Sequence, residues 1–338
     1  MTASSPHRPT MHPPDPPFLN KYGPFFYDPR GQSRNPEEVR ECDLPLIDLA
    51  ALGPGFEAAE ESETRAEIAK AAAEWGFFQV VNHGISRELL EEMRREQVKV
   101  FELPFEQKLG CKLLNHSYRW GTPTATCLKE FSWSEAFHIP LLKISEDVSA
   151  YGELAGVMEK FAAAMSRLGR VLTGVLAENL DRPMQYFDKN CTESTCFLRL
   201  NRYPPCSVSP EVFGLVPHTD SDFLTILYQD QVGGLQLMKD SRWVSVKPNP
   251  DALIVNIGDL FQAWSNGVYK SVEHKVMVNA VKERYSIAFF LCPSYDTMIA
   301  GSKEPSIYRK FTFGQYRQQV QEDVKKFGHK VGLPRFLL

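Results

Sequence analysis

The chain has 338 residues, of which 43% are hydrophobic and 24% charged, as is typical of a globular protein with a substantial core. Lys and Arg total 38 against 42 Asp and Glu, a formal net charge of −4 without any basic block, which excludes nucleic acid and anionic membrane surfaces as expected partners. No apolar run approaches the roughly 20 residues that cross a bilayer, and the seven cysteines lack metal-ligand spacing, so we expect a reduced, cytoplasmic protein.

Residues 1–40 are rich in proline. Nine of the 24 prolines precede Glu37, and they are mixed with Ser, His and Asn. Proline fixes φ and removes a backbone donor, so this composition opposes both helices and β-ladders. We therefore predict a flexible N-terminal tail over residues 1–40.

Strand and helix patterns alternate after this tail. Residues 44–49 have the composition of a short strand, and an Ala- and Glu-rich helix is predicted over residues 61–75. A second strand is predicted over residues 77–81. A further helix is predicted over residues 86–101, because its first residue is a serine that can cap it. Residues 41–195 are expected to form a largely helical N-terminal region.

The longest helical pattern lies in the second half of this region. Apolar residues recur at steps of three and four from Leu154 to Leu176. This spacing predicts a long amphipathic helix. Its apolar face is expected to support a sheet.

After Cys196 the pattern changes to short β-rich runs separated by turn residues, which is typical of a β-sandwich or barrel. The predicted strands are residues 197–202, 223–228, 235–238, 243–246, 253–257, 274–278 and 285–291. Residues 279–283 are expected to reverse the chain between two antiparallel strands. We predict a β-core over residues 196–300 and a C-terminal helical extension over residues 301–338.

A candidate metal site lies in this core. His218 and Asp220 form a His-x-Asp pattern, and His274 follows 56 residues after the first histidine. Side chains at i and i+2 of an extended strand point to one face, so the first two can converge on one ion, and His274 must arrive from another strand. Two imidazoles and one carboxylate are the ligands of a non-haem Fe(II) site that keeps positions open for substrate and oxygen.

Arg284 and Ser286 are also two residues apart, which places a guanidinium and a hydroxyl on a common strand face. This pair could bind a carboxylate. The predicted reversal over residues 279–283 would bring both side chains close to His274.

These motifs resemble those of the plant-type Fe(II)- and 2-oxoglutarate-dependent dioxygenases, and the resemblance extends over residues 41–318. Further elements of that family are residues 201–206 (NRYPPC), 75–78 (WGFF) and 82–85 (NHGI). The resemblance implies a mixed α+β fold whose core is a double-stranded β-helix, a distorted jelly roll, flanked by helices.

The resemblance also implies the cofactors and the roles of the site residues. The implied metal ligands are His218, Asp220 and His274. The implied residues for the co-substrate 2-oxoglutarate are Tyr203, Arg284 and Ser286. Members of the family use O2 to hydroxylate an unactivated carbon while 2-oxoglutarate loses CO2 and becomes succinate. Ascorbate is expected to support the activity.

Two segments narrow the resemblance. Residues 118–123 (YRWGTP) and 131–138 (FSWSEAFH) are similar to the gibberellin 2-oxidases that act on twenty-carbon gibberellin precursors. This implies a small diterpenoid substrate, a gibberellin, that is hydroxylated at carbon 2 and thereby inactivated. An apolar pocket with one cationic anchor would suit such a molecule. Arg119 and Lys129 are candidates for the anchor, and a solvated surface position is equally consistent with each.

Three aromatic residues of these segments have two interpretations each. His138 lies between apolar neighbours, so it could line a substrate pocket or be a hydrogen-bonded, partly buried imidazole. Trp120 and Trp133 could form a pocket wall, although core packing is the default for tryptophan.

Two kinds of rival function stay open. One is another plant oxygenase, such as a gibberellin 3- or 20-oxidase, a flavonoid oxygenase, or an oxidase that uses the same metal ligands without 2-oxoglutarate. The other is a jelly-roll protein that binds metal without turnover. The open coordination positions argue against the second, because a structural metal site is normally closed. The sequence does not define the oligomeric state.

Overall fold

Two β-sheets face one another across a central cavity, and helices pack on the larger sheet. The computed structural model of the chain describes residues 15–26, 39–53, 55, 57–110, 117–144, 152–208, 212–301 and 304–338. The strands are β1 (Arg40–Cys42), β2 (Leu46–Asp48), β3 (Phe77–Val81), β4 (Tyr118–Trp120), β5 (Glu135–Pro140), β6 (Phe197–Tyr203), β7 (Phe213–His218), β8 (Leu224–Gln229), β9 (Leu235–Lys239), β10 (Arg242–Val246), β11 (Leu253–Ile257), β12 (His274–Met277), β13 (Arg284–Leu291), β14 (Met298–Ile299) and β15 (Phe311–Thr312). The helices are α1 (Phe18–Phe26), α2 (Ala58–Glu74), α3 (Arg87–Phe101), α4 (Phe105–Gly110), α5 (Leu141–Ile144), α6 (Gly152–Glu178), α7 (Gln185–Asn190), α8 (Asp259–Trp264) and α9 (Phe313–Phe327).

The two sheets differ in size. The smaller has five strands in the order β1-β10-β9-β12-β7, and the larger has eight in the order β2-β3-β11-β8-β13-β6-β5-β4. Most neighbours are antiparallel, whereas β1 and β2 pair in parallel with β10 and β3. This arrangement is the predicted double-stranded β-helix, a distorted jelly roll with flanking helices.

The larger sheet draws strands from both sides of the expected boundary at residue 196. Strand β5 pairs along its length with β6, so that Glu135 lies opposite Arg202, and β2 and β3 extend the opposite end of the sheet. The region over residues 41–195 therefore supplies strands to the core as well as helices. The boundaries themselves stay a prediction.

Helix α6 confirms the amphipathic pattern. It packs on β8 and β13 of the larger sheet and on α2 and α3. Its fully buried side chains include Met158, Phe161, Met165, Leu172 and Leu176. A Cβ at Gly169 would lie 3.5 Å from Phe289, so the helix approaches the sheet closely there. The predicted cap of α3 is also present, since the Leu89 amide donates to Ser86 Oγ at 3.3 Å.

The prediction of a flexible tail is wrong for residues 15–26. Phe18, Tyr22 and Phe26 recur at four-residue steps on α1, and all three are buried. Phe18 stacks on Trp133 with ring centroids 4.6 Å apart, and Tyr22 lies 4.0 Å from Phe131. Burial of this aromatic face outweighs the helix-breaking effect of proline in the segment. The rest of the predicted tail, apart from residues 39 and 40, lies outside the described residues.

The expected reversal over residues 279–283 also needs correction. Strand β12 pairs with β7 and β9 in the smaller sheet, whereas β13 pairs with β6 and β8 in the larger one. The connection therefore crosses from one sheet to the other, and β12 and β13 do not form a hairpin. Since both sheets line the same cavity, His274 and Arg284 still lie in one site.

Candidate active site

A cavity of about 220 Å³ lies between the two sheets. Its walls include side chains of β7, β9 and β12 from the smaller sheet and of β3, β6, β8, β11 and β13 from the larger one. All six residues that the sequence singled out line this cavity: Tyr203, His218, Asp220, His274, Arg284 and Ser286.

The two histidines meet because their strands are neighbours. Strands β7 and β12 are antiparallel, and His274 lies directly opposite His218. Strand β7 ends at His218, so Asp220 lies in the following loop and not in the strand as predicted. Asp220 Oδ1 is nevertheless 3.6 Å from His218 Nε2 and 3.8 Å from His274 Nε2. One potential ligand atom from each of the three side chains lies within 4.8 Å of the other two.

Backbone contacts fix the tautomers of both imidazoles. His218 Nδ1 is 2.8 Å from the Val216 carbonyl, and His274 Nδ1 is 3.1 Å from the Val272 carbonyl. A carbonyl can only accept, so each Nδ1 carries the proton and each Nε2 offers its lone pair towards Asp220. Burial, together with the neighbouring His274, lowers the pKa of His218 to about 3, so this imidazole is neutral at physiological pH.

Asp220 is held by two polar side chains that the sequence analysis did not identify. Thr225 Oγ1 and Asn256 Nδ2 both donate to Asp220 Oδ2, at 2.6 and 2.8 Å, which leaves Oδ1 directed at the histidines. Burial raises the pKa of Asp220, but the two histidines and these hydrogen bonds lower it to about 2 overall. The sequence gives one sign of these two side chains, because Thr225 and Asn256 are polar residues within largely apolar strands, β8 and β11.

This donor set fits Fe(II). Two imidazole nitrogens and one carboxylate oxygen face a common point, and they leave coordination positions open. Their supporting hydrogen bonds orient each donor, as is usual for residues around a metal ligand. His218, Asp220 and His274 could therefore hold the ion.

Arg284 is a buried cation without a counterion. It is 1% exposed, and among the described residues no carboxylate lies within ion-pair distance of it. Its Nη2 donates to Gln229 Oε1 at 2.7 Å, its Nη1 is 3.5 Å from Ser286 Oγ, and its Nε has no partner. Burial of an unpaired charge is costly, so this geometry fits an anion that enters from the cavity. The carboxylate of a 2-oxo diacid has the required shape and charge.

Tyr203 completes this end of the cavity. It lies opposite Arg284 in the β6–β13 pair, and the Arg284 guanidinium is 4.9 Å from the centre of its ring. The ring packs against backbone, since a Cβ at Gly214 would lie 2.6 Å from Tyr203 Cδ1. The tyrosine is thereby fixed beside the unpaired guanidinium.

Of the five residues that the sequence suggested for the substrate pocket, only His138 lines this cavity. Arg119 and Lys129 are exposed, and neither is among the lining residues of the cavity. Trp133 is buried against α1, and Trp120 contacts Phe18 and Phe105, so both tryptophans pack in the core. His138 does line the cavity and stacks on Phe197, with ring centroids 4.0 Å apart.

Within the described ranges, no helix has the length and apolar character needed to cross a membrane.

Comparison with known proteins agrees with this geometry. Residues 194–293 match the 2OG-Fe(II) oxygenase superfamily, and residues 44–156 match the family described as non-haem dioxygenase in morphine synthesis N-terminal. A crystal structure of JOX2 in complex with 2OG, Fe and JA superposes with a TM-score of 0.71 at 35% identity, covering 84% of this chain and 87% of that one. The protein is therefore a 2-oxoglutarate-dependent dioxygenase that uses Fe(II) and O2.

Two relatives define the family more closely. The chain is 54% identical to gibberellin 2-beta-dioxygenase 8 of Arabidopsis thaliana, over 96% of this chain and 98% of the relative. It is 58% identical to gibberellin 2-beta-dioxygenase 6 of Oryza sativa subsp. japonica, over 88% of this chain and 86% of the relative. The chain belongs to the gibberellin 2-beta-dioxygenase family.

Proposed function

We propose that this enzyme hydroxylates gibberellins at carbon 2 and thereby inactivates them, with a preference for twenty-carbon precursors over nineteen-carbon forms. The observation that carries the dioxygenase chemistry is the buried, unpaired Arg284 in the same cavity as three metal-binding side chains. The choice of gibberellin is supported by the relatives of 54% and 58% identity, which are named for carbon-2 oxidation of that hormone.

In this proposal His218, Asp220 and His274 hold Fe(II). The bound iron supplies the oxidising chemistry that couples decarboxylation of 2-oxoglutarate to hydroxylation of a C–H bond. The chain keeps the donors in place. Thr225 and Asn256 hold one oxygen of Asp220 so that the other faces the histidines.

Arg284, Ser286 and Tyr203 bind the 2-oxoglutarate. The planar guanidinium of Arg284 offers two parallel donors to the distal carboxylate, which a lysine cannot reproduce. The Ser286 hydroxyl lies beside it on the same strand face. Gln229 holds Nη2 from the other side, so the fork is oriented before the co-substrate arrives.

The apolar lining of the cavity limits access of water. Phe77, Leu215, Leu227, Leu235 and Val276 contribute walls around the polar groups. A dry, preorganised site of this kind protects the oxidant from side reactions with solvent.

The preference for twenty-carbon substrates rests on residues 118–123 and 131–138. These segments include β4 and β5, and β5 contributes His138 to the cavity wall. An apolar pocket discriminates small differences in shape by about 1–3 kcal/mol, so we expect a preference of roughly ten- to a few hundredfold.

The test is a competition experiment. Purified enzyme with Fe(II), ascorbate and 2-oxoglutarate receives equal amounts of a twenty-carbon and a nineteen-carbon gibberellin, and mass spectrometry follows the products over time. Faster 2-hydroxylation of the twenty-carbon compound supports the proposal. Faster loss of the nineteen-carbon compound contradicts the preference, and oxidation only at carbon 3 or 20 contradicts the carbon-2 assignment.

A further inference from the structure

Two arginines that are not part of the metal or 2-oxoglutarate groups line the active-site cavity or the cavity next to it. Arg199 of β6 is half-buried and lines the cavity that contains the three metal-binding side chains. Arg317 of α9 lines an adjoining cavity of about 230 Å³. The two cavities adjoin, because they share the lining residues His138, Phe197, Ser221 and Phe290.

Both arginines have neutral partners only. Arg199 Nε donates to Asn201 Oδ1 at 2.9 Å, and Arg317 Nη1 donates to the Tyr295 hydroxyl at 2.9 Å. In the part of the chain that the structure describes, no carboxylate pairs with either guanidinium. Several donors of each fork are therefore available to a bound anion.

Two carboxylates line the adjoining cavities, Asp220 on the metal side and Asp222 in the cavity that Arg317 also lines. Asp220 faces the two histidines, and Asp222 accepts a hydrogen bond from Thr225 at 2.9 Å. Among the described residues, neither carboxylate forms an ion pair with Arg199 or Arg317. A carboxylate that enters beside these arginines gains charge-assisted hydrogen bonds without displacing an existing ion pair.

An aromatic surface lies beside these arginines, and its three rings line both cavities. His138 stacks on Phe197 at 4.0 Å with an interplanar angle of 23°, and Phe197 stacks on Phe290 at 4.3 Å and 11°. His138 is partly exposed, and desolvation followed by the charges of Arg199, Arg317 and Arg119 lowers its pKa to about 4, which disfavours a positive charge on this ring. The surface suits a rigid hydrocarbon skeleton.

We propose that Arg199 and Arg317 form a carboxylate subsite for the substrate, which holds its skeleton against the His138–Phe197–Phe290 stack in the cavity of the metal-binding side chains. The inference rests on the proposed function, because it takes the substrate to be an apolar acid. It also explains why two separate cation sites are needed. Two acids bind at once in this reaction, and a substrate carboxylate placed at Arg284 would compete with 2-oxoglutarate.

The experiment compares a twenty-carbon gibberellin with its full methyl ester, in which every carboxyl group is esterified, so that the skeleton is kept and the negative charge is removed. Wild type, Arg199→Gln and Arg317→Gln are assayed for turnover and for binding by anaerobic calorimetry with Mn(II) and 2-oxoglutarate. Arg317 is exposed on the helix surface, so its replacement leaves the fold intact. Controls are Lys325→Gln, exposed on the same helix, and Arg242→Gln, exposed at the start of β10.

We expect the wild type to bind the free acid at least about tenfold more tightly than the ester, because charge-assisted hydrogen bonds are about twice as strong as neutral ones. Each arginine variant should lose most of this preference through weaker binding of the acid, with the KM for 2-oxoglutarate unchanged. The two control variants should behave as the wild type.

The outcomes separate the two proposals. Equal affinity for acid and ester in the wild type, or an intact acid preference in both arginine variants, overturns the subsite and leaves carbon-2 hydroxylation standing. A wild type that neither binds nor oxidises the acid overturns both proposals. Oxidation at another carbon, with the acid preference lost in the variants, overturns the carbon-2 function and supports the subsite.

Discussion

Arg284→Met tests the proposed co-substrate site most directly. The guanidinium is 1% exposed, and its two closest polar contacts are Gln229 and Ser286, which are neutral. Loss of one partner from a buried, hydrogen-bonded charge pair costs about 2–5 kcal/mol, or roughly thirty- to several thousandfold in affinity. We therefore expect the apparent KM for 2-oxoglutarate to rise by about a hundredfold or more.

Without 2-oxoglutarate, Arg284→Met should keep or raise the stability of the protein. There the arginine is a buried cation without a counterion, and replacement of buried charges by apolar side chains of similar volume is often neutral or stabilising by about 1–4 kcal/mol. Gln229 loses its 2.7 Å donor, which offsets part of that gain. The Tm of Arg284→Met without 2-oxoglutarate should thus equal or exceed that of the wild type.

Thermal denaturation with Mn(II) in place of iron measures both effects. At a 2-oxoglutarate concentration of about 100 times Kd, the wild type gains roughly 2.7 kcal/mol of stability, and Arg284→Met should gain almost none. Arg284→Lys keeps the charge but not the fork and should fall between them. Arg242→Met, at an exposed position, is the matched control. A normal 2-oxoglutarate-dependent rise of Tm in Arg284→Met would refute the assignment.

Three further predictions concern the metal donors and α1. His218→Ala, Asp220→Ala and His274→Ala should each abolish turnover and reduce bound iron while circular dichroism stays native, and wild-type activity in any of them would contradict the ligand set. Asn256→Ala removes the 2.8 Å hydrogen bond to Asp220, so Fe(II) affinity should fall by about 10- to 100-fold in a direct metal titration, and an unchanged affinity would show that Thr225 alone orients the carboxylate. Phe18→Ala should lower the free energy of unfolding by about 3–5 kcal/mol in urea denaturation, because the ring is 2% exposed, whereas the exposed Asn20→Ala should have little effect. Equal stability of the two variants would mean that α1 does not contribute to the core.

The site was predictable because its chemistry requires rare residue types at fixed spacing. Few structural roles would explain a histidine and an aspartate two residues apart together with a distant histidine. Arg284 and Ser286 have the same two-residue spacing, which places them on one face of a strand. Strands β3 and β11 match the predicted ranges residue for residue. Both are apolar runs next to a turn residue, and the central strands of a sheet are buried on both faces.

Helix α1 and the part of strand β7 before His218 were missed for related reasons. Strand β7 contains Gly214 and Pro217, which argue against a strand in sequence. It lies at the edge of the smaller sheet, where a missing backbone donor is tolerated. In α1 the prolines obscured a four-residue aromatic repeat whose partners, Phe131 and Trp133, are far away in sequence. Local composition cannot reveal contacts of that range.

The cavity floor follows from the register of two strands. Strand β6 presents Phe197, Arg199, Asn201 and Tyr203 at alternate positions, and β13 presents Phe290, Ala288, Ser286 and Arg284 opposite them in that order. The aromatic end, the proposed carboxylate subsite and the 2-oxoglutarate site therefore lie in sequence along one pair of strands.

Asn201 connects two of these sites. Its Oδ1 accepts from Arg199 Nε at 2.9 Å, and its Nδ2 donates to Ser286 Oγ at 3.3 Å. Alternate residues of a strand share one face, and this rule indicated Arg284 and Ser286. Applied to β6 from Tyr203 back towards the N-terminus, the same rule places Arg199 on the face of Tyr203. A slip of one residue would turn the side chains of one strand away from the cavity, so that Arg199 and Arg284 would no longer share it, and the pairing that stabilises the sheet therefore also sets the distance between the two acid-binding sites.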